Sequence, residues 1–427
     1  MSIFFLFVTM FILISLSVPV GFAIAGAVGL TMFFYSDHSL FVMIGQYSTA
    51  GVNSFPMMAI PFFICAGVIM SAGGIARRLV DAVANVVGFA TGGLGACVGV
   101  ACMFFGAISG SAMATVSTIG SIMIPEMTRK GYKVGYSAAI CASSGTIGAV
   151  IPPSIPFIIY GVVTQTSVGD LFIAGILPGI LMGIGIIIAN YVLCKKNHIP
   201  GVGKKSLREI AKGIWEAKFA LLAPVVILGG IYAGVFSPTE ASVIGVAYAV
   251  VVSLFVYKEI SWKGLYKAIL NTAAINGITT YLIGPATVFA AYLTMERVPS
   301  QLMALINDIT DQKVVFLLIV NLLLLLLGCI LDNIPACIIL APILLPTMVS
   351  YGIDPVHFGV FMTINLMIGL VTPPYGCNLF VASAVAHIKI EEILRYLLPF
   401  LFALLAVLAV VTYVPEISMG LVWLLRG

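Results

Sequence analysis

An acidic residue in an unusual setting gives the first sign of chemistry in this sequence. Asp332 lies between the apolar stretches 322–327 and 337–345, whereas nearly all the other Asp and Glu residues fall in polar segments. A carboxylate among apolar residues is costly unless it has a function, so Asp332 is a candidate cation ligand. Asp332 also precedes Asn333 and Pro335, which is typical of a helix N-terminus, and a capping role is compatible with a functional one.

Two proline pairs, Pro152-Pro153 and Pro373-Pro374, are predicted to break helices. Because proline has no N–H, carbonyls of the preceding turn lose their helical donors. In a membrane these carbonyls must face water, protein donors or a cation, and transporters use such carbonyls to bind Na⁺. The carbonyls belong to Gly148 and Ala149 and to Gly369 and Leu370. Side-chain oxygens nearby come from Ser143, Ser144, Thr146, Ser154, Asn365, Thr372, Tyr375 and Asn378. An ordinary proline kink is the alternative, and matched pairs favour function.

The two proline pairs belong to an internal repeat. Residues 125–153 reappear in outline as residues 346–374, an offset of 221 positions that aligns Gly148 with Gly369 and Val150 with Val371. Each copy follows an apolar hairpin with a polar corner. Two such copies in a membrane chain are typical of secondary transporters, in which substrate and ions bind where the broken helices of two repeats face each other.

The composition shows that the chain belongs in a membrane. Of its 427 residues, 61% are hydrophobic and 8% are charged, whereas a soluble protein carries about 25% charged residues. The net charge of +4 follows membrane topology and predicts no nucleic-acid partner. The first apolar run has no basic n-region, so we expect it to be retained as a span. The eight cysteines form no C-x-x-C pair and are predicted to be packing residues, with no metal site or disulfide framework.

The apolar pattern predicts an all-α polytopic fold with five spans and one re-entrant hairpin in each half. Spans are expected within 4–35 (two, turning at 18–21), and at 56–72, 134–163, 171–194, 219–235, 241–257, 268–294, 356–385 and 396–424. The hairpins cover 95–128, with a tip at 109–111, and 314–350, with a tip at 331–333. Interfacial segments are expected at 75–85 and 299–305, and Glu240 is expected to be a first-turn helix charge.

An odd number of crossings in each repeat requires the halves to have opposite orientations. If the basic loop 195–218 is cytoplasmic, 17 of the 20 Lys and Arg residues lie inside, as the positive-inside rule requires. Arg297, Lys313 and Arg426 then lie outside. The first hairpin enters from the cytoplasm and the second from the opposite side.

With these features, the chain resembles the large membrane (M) subunit of tripartite ATP-independent periplasmic (TRAP) transporters. The motifs that carry the resemblance are GAISGSA at 106–112, SGTIGAVIPPS at 144–154, SPTEA at 237–241 and GLVTPPYG at 369–376. The resemblance implies an elevator-type transporter of the bacterial inner membrane that is driven by Na⁺ and imports an organic acid. It also implies two partners, a periplasmic substrate-binding protein and a small four-helix membrane subunit on a separate polypeptide.

The resemblance also implies a division of labour along the chain. Residues 1–72 and 219–294 would form scaffold spans, and 195–218 a cytoplasmic basic loop. Residues 73–194 and 295–427 would each hold an interfacial arm, a hairpin, a broken helix and a final span. One Na⁺ site would use Ser109, Gly148, Val150 and Pro153, and the other Asp332, Thr372 and Gly376. Substrate would lie between the hairpin tips, with candidate contacts from Ser111, Ser144, Asn333, Asn365 and Asn378.

Other functions fit the sequence less well. A self-sufficient Na⁺/dicarboxylate symporter of related architecture is the main alternative, and it would transport free substrate alone. An intramembrane hydrolase built on Ser109 would need a base in the bilayer, but the four histidines, His38, His198, His357 and His387, are expected in loops or at span ends. We therefore predict no enzymatic activity. A channel would conduct without saturable uptake. The chain looks most like sialic-acid members of the family, although no residue separates sialic acid from a C4-dicarboxylate.

Overall fold

The structure is a computed structural model that describes residues 2–16, 18–35, 40–197, 199, 201, 203, 206–301, 310 and 312–426. Over these residues the chain is helical and contains no β-strand. In this part of the chain, six helices are long and apolar enough to span a membrane one by one. The other crossings are made of shorter apolar helices, because the hairpins and broken helices divide them.

The first repeat follows the predicted order. Its helices are α1 (Ser2–Ser15), α2 (Val20–Tyr35), α3 (Leu40–Val52), α4 (Ala59–Ala72), α5 (Ile75–Val87), α6 (Gly93–Ser109), α7 (Ala112–Arg129), α8 (Val134–Gly145), α9 (Ile155–Thr164) and α10 (Val168–Lys196). Short 3₁₀ turns precede α4 and follow α8, at Phe55–Met58 and Thr146–Ala149. The predicted turn between α1 and α2 is confirmed. Helix α3 was not predicted, because Gly45, Gln46 and Thr49 interrupt its apolar pattern.

The basic loop contains a short helix of its own, α11 (Leu207–Glu216). Ser206 caps it: the Glu209 amide donates to the Ser206 hydroxyl and the Glu209 carboxylate accepts from the Ser206 amide. This reciprocal capping box satisfies two amides at the helix start. The same arrangement of Ser237 and Glu240 begins the second helix of the next repeat, so Glu240 is a first-turn helix charge as expected.

The second repeat follows the same general order of elements as the first. Its helices are α12 (Lys218–Tyr232), α13 (Pro238–Val251), α14 (Trp262–Met295), α15 (Lys313–Gly328), α16 (Asn333–Ser350), α17 (Pro355–Gly369), α18 (Cys377–Ala386), α19 (Ile390–Tyr413) and α20 (Glu416–Arg426). The predicted last span, 396–424, is wrong at both ends. It begins earlier, at Ile390, and it ends at Tyr413, because Pro415 cannot continue a helix and forces Val414 out of the helical region. Part of the predicted segment 299–305 lies outside the described residues.

The helices pack into two groups. Helices α2, α3, α4, α13 and α14 pack on one another, with α12 against α13. The hairpins and broken helices pack together across the two repeats: α16 lies on α9, α18 on α7 and α8, and α17 on α10. Helix α16 also packs on α14, which joins the two groups. This arrangement places the two hairpin tips next to each other in the interior.

Candidate ion and substrate site between the hairpin tips

The first hairpin turns within three residues. Ser109 ends α6, Gly110 adopts a left-handed conformation (φ 62°), and Ser111 caps α7 by accepting a hydrogen bond from the Ala114 amide at 3.4 Å. Glycine adopts this backbone conformation without a steric penalty. The predicted tip at residues 109–111 is therefore confirmed, and it brings a buried serine hydroxyl to the end of a half-helix.

The first break lies directly against this tip. The peptide bond between Pro152 and Pro153 is cis. The Ile155 amide donates to the Gly110 carbonyl at 3.2 Å, and a Cβ added to Gly110 would lie 2.7 Å from the Pro153 carbonyl oxygen. Between the hairpin and the break there is no room for side chains, because a Cβ on Gly106 would lie 2.5 Å from the Cα of Gly148. The structure thus brings Ser109, Gly148 and Pro153 into one small region.

One oxygen in this region was absent from the predicted set. The hydroxyl of Thr115 lies 3.2 Å from the Ser109 hydroxyl and donates to the Ser111 carbonyl at 2.8 Å. A Cβ on Gly148 would collide with the same hydroxyl. The sequence could have indicated Thr115, because residues four apart share one helix face and Thr115 follows Ser111 at that spacing. The carbonyl of Val150, a predicted ligand, lies against Gly175 of α10.

The second tip is built around Asp332. Its carboxylate accepts the Asn333 amide at 2.7 Å and so caps α16, as the capping interpretation predicted. Asp332 is half-buried and lies near Tyr375 and Cys377 beyond the second break. The predicted partner Thr372 hydrogen-bonds Cys329 and donates to the Ile368 carbonyl at 2.7 Å.

The second break repeats the geometry of the first. The Pro373–Pro374 bond is cis, and a Cβ on Gly369 would lie 2.7 Å from the Cα of Gly328 in α15. Gly376, predicted to be an ion ligand, has φ 47° and begins α18. The structure therefore places Asp332, at the second tip, beside the second break. The first tip lies beside the first break in the same way.

Protein donors take up several of the carbonyls that the prolines free. Ser154 donates to the Ala149 carbonyl at 2.5 Å. At the second break, the Thr372 amide donates to Gly369 and the Asn378 amide to Leu370, both at 3.0 Å. Protein donors therefore satisfy these carbonyls. This was one of the three expected outcomes, the others being contact with water or with a cation. Further cation ligands would come from the tips and from the remaining carbonyls of each break.

The two breaks differ in exposure. Pro152, Pro153 and Ser154 are buried, whereas Pro373 and Pro374 are exposed and Tyr375 is 50% exposed. The chain therefore covers the first break completely and leaves the second open on one side.

A cavity lies between the two tips. Its lining comes from Gly110, Ser111, Ala112, Met113, Ile155, Pro156, Asn333, Ile334 and Leu370. Its volume is about 40 Å³, which is close to the roughly 30 Å³ that one water molecule occupies. Two of the predicted substrate residues, Ser111 and Asn333, face this cavity from opposite repeats. A cavity of this size is too small to hold an organic acid.

The other predicted substrate residues do not line this cavity. Asn365 donates to the backbone and side-chain oxygens of Asn321 at 3.0 and 2.8 Å, which ties α17 to α15. Asn378 donates to the Ala142 carbonyl at 3.3 Å and so links the two repeats. Ser144 is fully buried, and its hydroxyl has no hydrogen-bond partner in the described part of the chain.

No histidine among the described residues is hydrogen-bonded to Ser109. His357 lies in the first turn of α17 and is hydrogen-bonded to the Ser418 hydroxyl at 2.7 Å and the Thr412 carbonyl at 3.2 Å. His387 ends α18, and His38 and His198 lie outside the described residues. The hydroxyl of Ser109 lies beside that of Thr115, which is not a base.

Comparisons with known proteins identify the family of this chain. Residues 7–417 match the family described as "Tripartite ATP-independent periplasmic transporter, DctM component". The chain is 45% identical to the isethionate TRAP transporter permease protein DctMQ of Oleidesulfovibrio alaskensis over 88% of its own length, and it spans 59% of that relative. It is 41% identical to the C4-dicarboxylate large permease DctM of Pseudomonas aeruginosa, over 86% of each chain. It is also 36% identical to the sialic acid large permease SiaM of Vibrio cholerae, over 96% of each.

A solved structure shares the fold. The YdaH transporter of Alcanivorax borkumensis superposes with a TM-score of 0.65, over 92% of this chain and 89% of that one, at 16% sequence identity. At that identity the likeness concerns architecture alone. Together with the family match over nearly the whole chain, it leads to one conclusion: the chain belongs to the DctM family of TRAP transporter large permeases, which are multi-pass proteins of the bacterial inner membrane.

Proposed function

We propose that this chain is the large membrane subunit of a Na⁺-coupled transporter that imports an organic anion delivered by a periplasmic binding protein. The observation that carries the proposal is the cavity between the two hairpin tips, with Ser111 on one side and Asn333 on the other. Each tip rests against a broken helix, as in transporters that bind substrate between repeats.

Two sets of oxygens support Na⁺ coupling. The Ser109 and Thr115 hydroxyls lie 3.2 Å apart beside the first break, and the Asp332 carboxylate lies near the second. Hard cations take oxygen ligands, and bound cations would hold each tip against its break.

The helix ends at the cavity favour an anionic substrate. Helix α7 begins at Ala112 and α16 at Asn333, and both residues line the cavity. A helix N-terminus carries a partial positive charge, so the α7 N-terminus attracts a carboxylate or sulfonate. The α16 N-terminus is capped by the Asp332 carboxylate and would attract an anion only when a bound Na⁺ offsets that charge. The substrates in the names of the relatives, isethionate, C4-dicarboxylate and sialic acid, are all organic anions.

An elevator movement would take place between the two helix groups. Contacts between the first hairpin and α4 include small residues: a Cβ on Gly67 would lie 3.1 Å from the Cβ of Ser109, and the Ser71 and Thr118 hydroxyls lie 3.0 Å apart. These small contacts allow one surface to slide over the other, because few interlocking side chains have to separate. The hairpins and breaks would carry the substrate past α4.

Reconstitution with single components omitted tests this function. Uptake of labelled sialic acid, a C4-dicarboxylate and isethionate would be measured in proteoliposomes with the chain, the small membrane subunit and the binding protein, with and without an inward Na⁺ gradient. We expect uptake of one anion only when every component and the gradient are present. Uptake of free substrate by this chain alone would instead establish a self-sufficient symporter.

A further inference from the structure

A second pocket lies on the side of the protein that is rich in basic residues. Its walls are α5, the end of α11 with the start of α12, and residues 256–259 beyond α13. Its volume is about 560 Å³, which falls within the roughly 300–1,000 Å³ of pockets that bind small molecules. No described residue lines both this pocket and the cavity between the hairpin tips. We call it the interfacial pocket, and the proposed transport function does not use it.

The walls of the interfacial pocket are held together by contacts within the chain. Arg78 of α5 forms an ion pair with Glu259, and its guanidinium carbon lies 3.9 Å from the centre of the Tyr257 ring. The Tyr257 hydroxyl donates to the Glu216 carbonyl at 3.4 Å, which joins this wall to α11. Helix α5 also packs on α11. Each wall therefore contacts the other two, so the protein itself forms the pocket.

The interfacial pocket lies at the predicted cytoplasmic surface of the membrane. The apolar helix α12 begins there at Lys218, and the positive-inside rule places the surrounding basic residues in the cytoplasm. The exposed Trp215 lines the pocket, and Phe255, next to the lining residue Val256, lies with its ring 6.4 Å from that of the exposed Trp262. Two of the three tryptophans of the chain are therefore at this level. Tryptophan is enriched where a membrane meets water, so the pocket lies among lipid headgroups.

The remaining charges of the pocket are balanced and divided between facing walls. Apart from the ion pair, α5 contributes Arg77 and Asp81, and the junction of α11 and α12 contributes Glu216 and Lys218. Each of these walls thus carries one cation and one acid. In the described part of the chain, neither Arg77 nor Lys218 is ion-paired with an acid. The Lys218 ammonium lies 3.7 Å from the centre of the Trp215 ring instead.

This set of charges suits a ligand that carries both signs. A guanidinium binds phosphate through two parallel hydrogen bonds, and an ammonium adds a point charge with three donors. A carboxylate has two oxygens and can accept an ammonium in addition to another partner. The Glu216 carboxylate, for example, already lies 3.8 Å from the Lys212 ammonium. A ligand with a phosphate alone would be repelled by the two acids, so the lining favours a zwitterion over a simple anion.

We propose that the interfacial pocket binds the headgroup of a phospholipid that carries a phosphate and a primary ammonium, as phosphatidylethanolamine does. Arg77 and Lys218 bind the phosphate, and Asp81 and Glu216 accept the ammonium. The acyl chains enter the membrane beside Trp215. A soluble ester with the same headgroup has the same charges, but it lacks the chains that the exposed aromatic residues would contact.

Lipid titration of the full chain, followed by native mass spectrometry, tests the phosphate contacts. We expect phosphatidylethanolamine to bind more tightly than phosphatidylglycerol, which has no ammonium, and soluble glycerophosphoethanolamine not to displace it. Arg77→Gln should weaken the binding of phosphatidylethanolamine about tenfold, because a charged hydrogen-bond donor is lost. Arg395→Gln is the matched control, because Arg395 is also exposed but lies on α19, outside the pocket. Equal binding of the two lipids, unaltered affinity in Arg77→Gln or displacement by the soluble ester overturns the proposal.

The acidic residues provide a separate test of the ammonium contact. The double variant Asp81→Asn, Glu216→Gln keeps both cations of the pocket, so it should still bind phospholipid. We expect it to lose the preference for phosphatidylethanolamine over phosphatidylglycerol. A preference equal to that of the wild-type chain would contradict the assignment of the ammonium to these two carboxylates.

Crosslinking in a mixed-lipid membrane tests where the lipid binds. A photoreactive amino acid at Val256, which is exposed and lines the pocket, should capture phosphatidylethanolamine in excess of its share of the membrane. The same probe at Ile184, on the exposed aliphatic surface of α10, should capture each lipid in proportion to its share. Mass spectrometry of the adducts distinguishes the two results, and the same proportions at both positions contradict the proposal.

Discussion

Gly106 and Gly148 are in backbone contact, since a Cβ on the first would lie 2.5 Å from the Cα of the second. Gly328 and Gly369 form the equivalent contact in the second repeat, where a Cβ on Gly369 would lie 2.7 Å from the Cα of Gly328. Each pair presses one arm of a hairpin against the turn before a proline break. The repeat in the sequence is therefore also a repeat of close contacts, and side chains are excluded at both.

We expect Gly106→Ala to destabilise the protein by about 1–3 kcal/mol, because overpacking displaces the hairpin from the break. Gly229→Ala is the matched control, because its Cβ meets open space and alanine favours helices by about 1 kcal/mol. Thermal unfolding in detergent and Na⁺-dependent uptake would be measured for both. Unchanged stability and uptake in Gly106→Ala would show that the contact is not needed.

Asp332→Asn should abolish most of the Na⁺ activation while leaving expression and folding intact. Asparagine caps a helix as well as aspartate does, so α16 keeps its start and only the charge is lost. The control is Glu240→Gln, which neutralises an acid in an exposed capping box. Uptake would be measured as a function of Na⁺ concentration, and an unaltered activation curve in Asp332→Asn would remove this residue from the ion site.

Thr115→Ala should raise the Na⁺ concentration that gives half-maximal uptake by about tenfold, the equivalent of about 1.4 kcal/mol for a lost ligand. Ser109→Ala should have a similar effect, because the two hydroxyls lie 3.2 Å apart. Ser121→Ala is the control on the same helix, since its hydroxyl is exposed and bonds only the Thr118 carbonyl. If Ser109→Ala alone shifts the curve, Thr115 plays a structural role instead.

A disulfide between Ser71→Cys and Thr118→Cys should stop transport. The two hydroxyls lie 3.0 Å apart on different helix groups, so cysteine sulfurs there come close enough to bond. Oxidation should abolish uptake, a reducing agent should restore it, and each single variant should remain active. Mass spectrometry would confirm the crosslink. Full activity of the crosslinked protein would show that α4 and α7 do not move past each other.

The sequence predicts the parts of the site that glycine and proline control. The tip at residues 109–111 and the break at Pro152-Pro153 lie where expected, because a left-handed turn or a missing N–H leaves a visible signal at one position. Helix α3 was missed because its small and polar residues hide its periodicity. Helix α20 was missed because the residues beyond Pro415 and Glu416 are again mostly apolar, so the two helices resemble one span.

The direction of side chains could not be predicted in the same way. Asn365, just before the second break, and Asn333, at the second tip, were both predicted to contact substrate, but Asn333 faces the cavity and Asn365 faces Asn321. The difference depends on the rotation of α17 against α15, which only packing decides. The spacing of Thr115 from Ser111 places both on one helix face, but the contact of Thr115 with Gly148 in the first break is decided by packing.

The unequal exposure of Pro152 and Pro373 bears on the proposed elevator movement. A chain made of two inverted repeats has one symmetric midpoint conformation. In that conformation, corresponding residues of the two repeats have the same surroundings. The buried first break and the exposed second break show that the conformation described here differs from that midpoint. If the chain works by the proposed elevator movement, exchanging the surroundings of the two repeats, so that Pro152 becomes exposed and Pro373 buried, would generate the opposite end state from the same backbone elements.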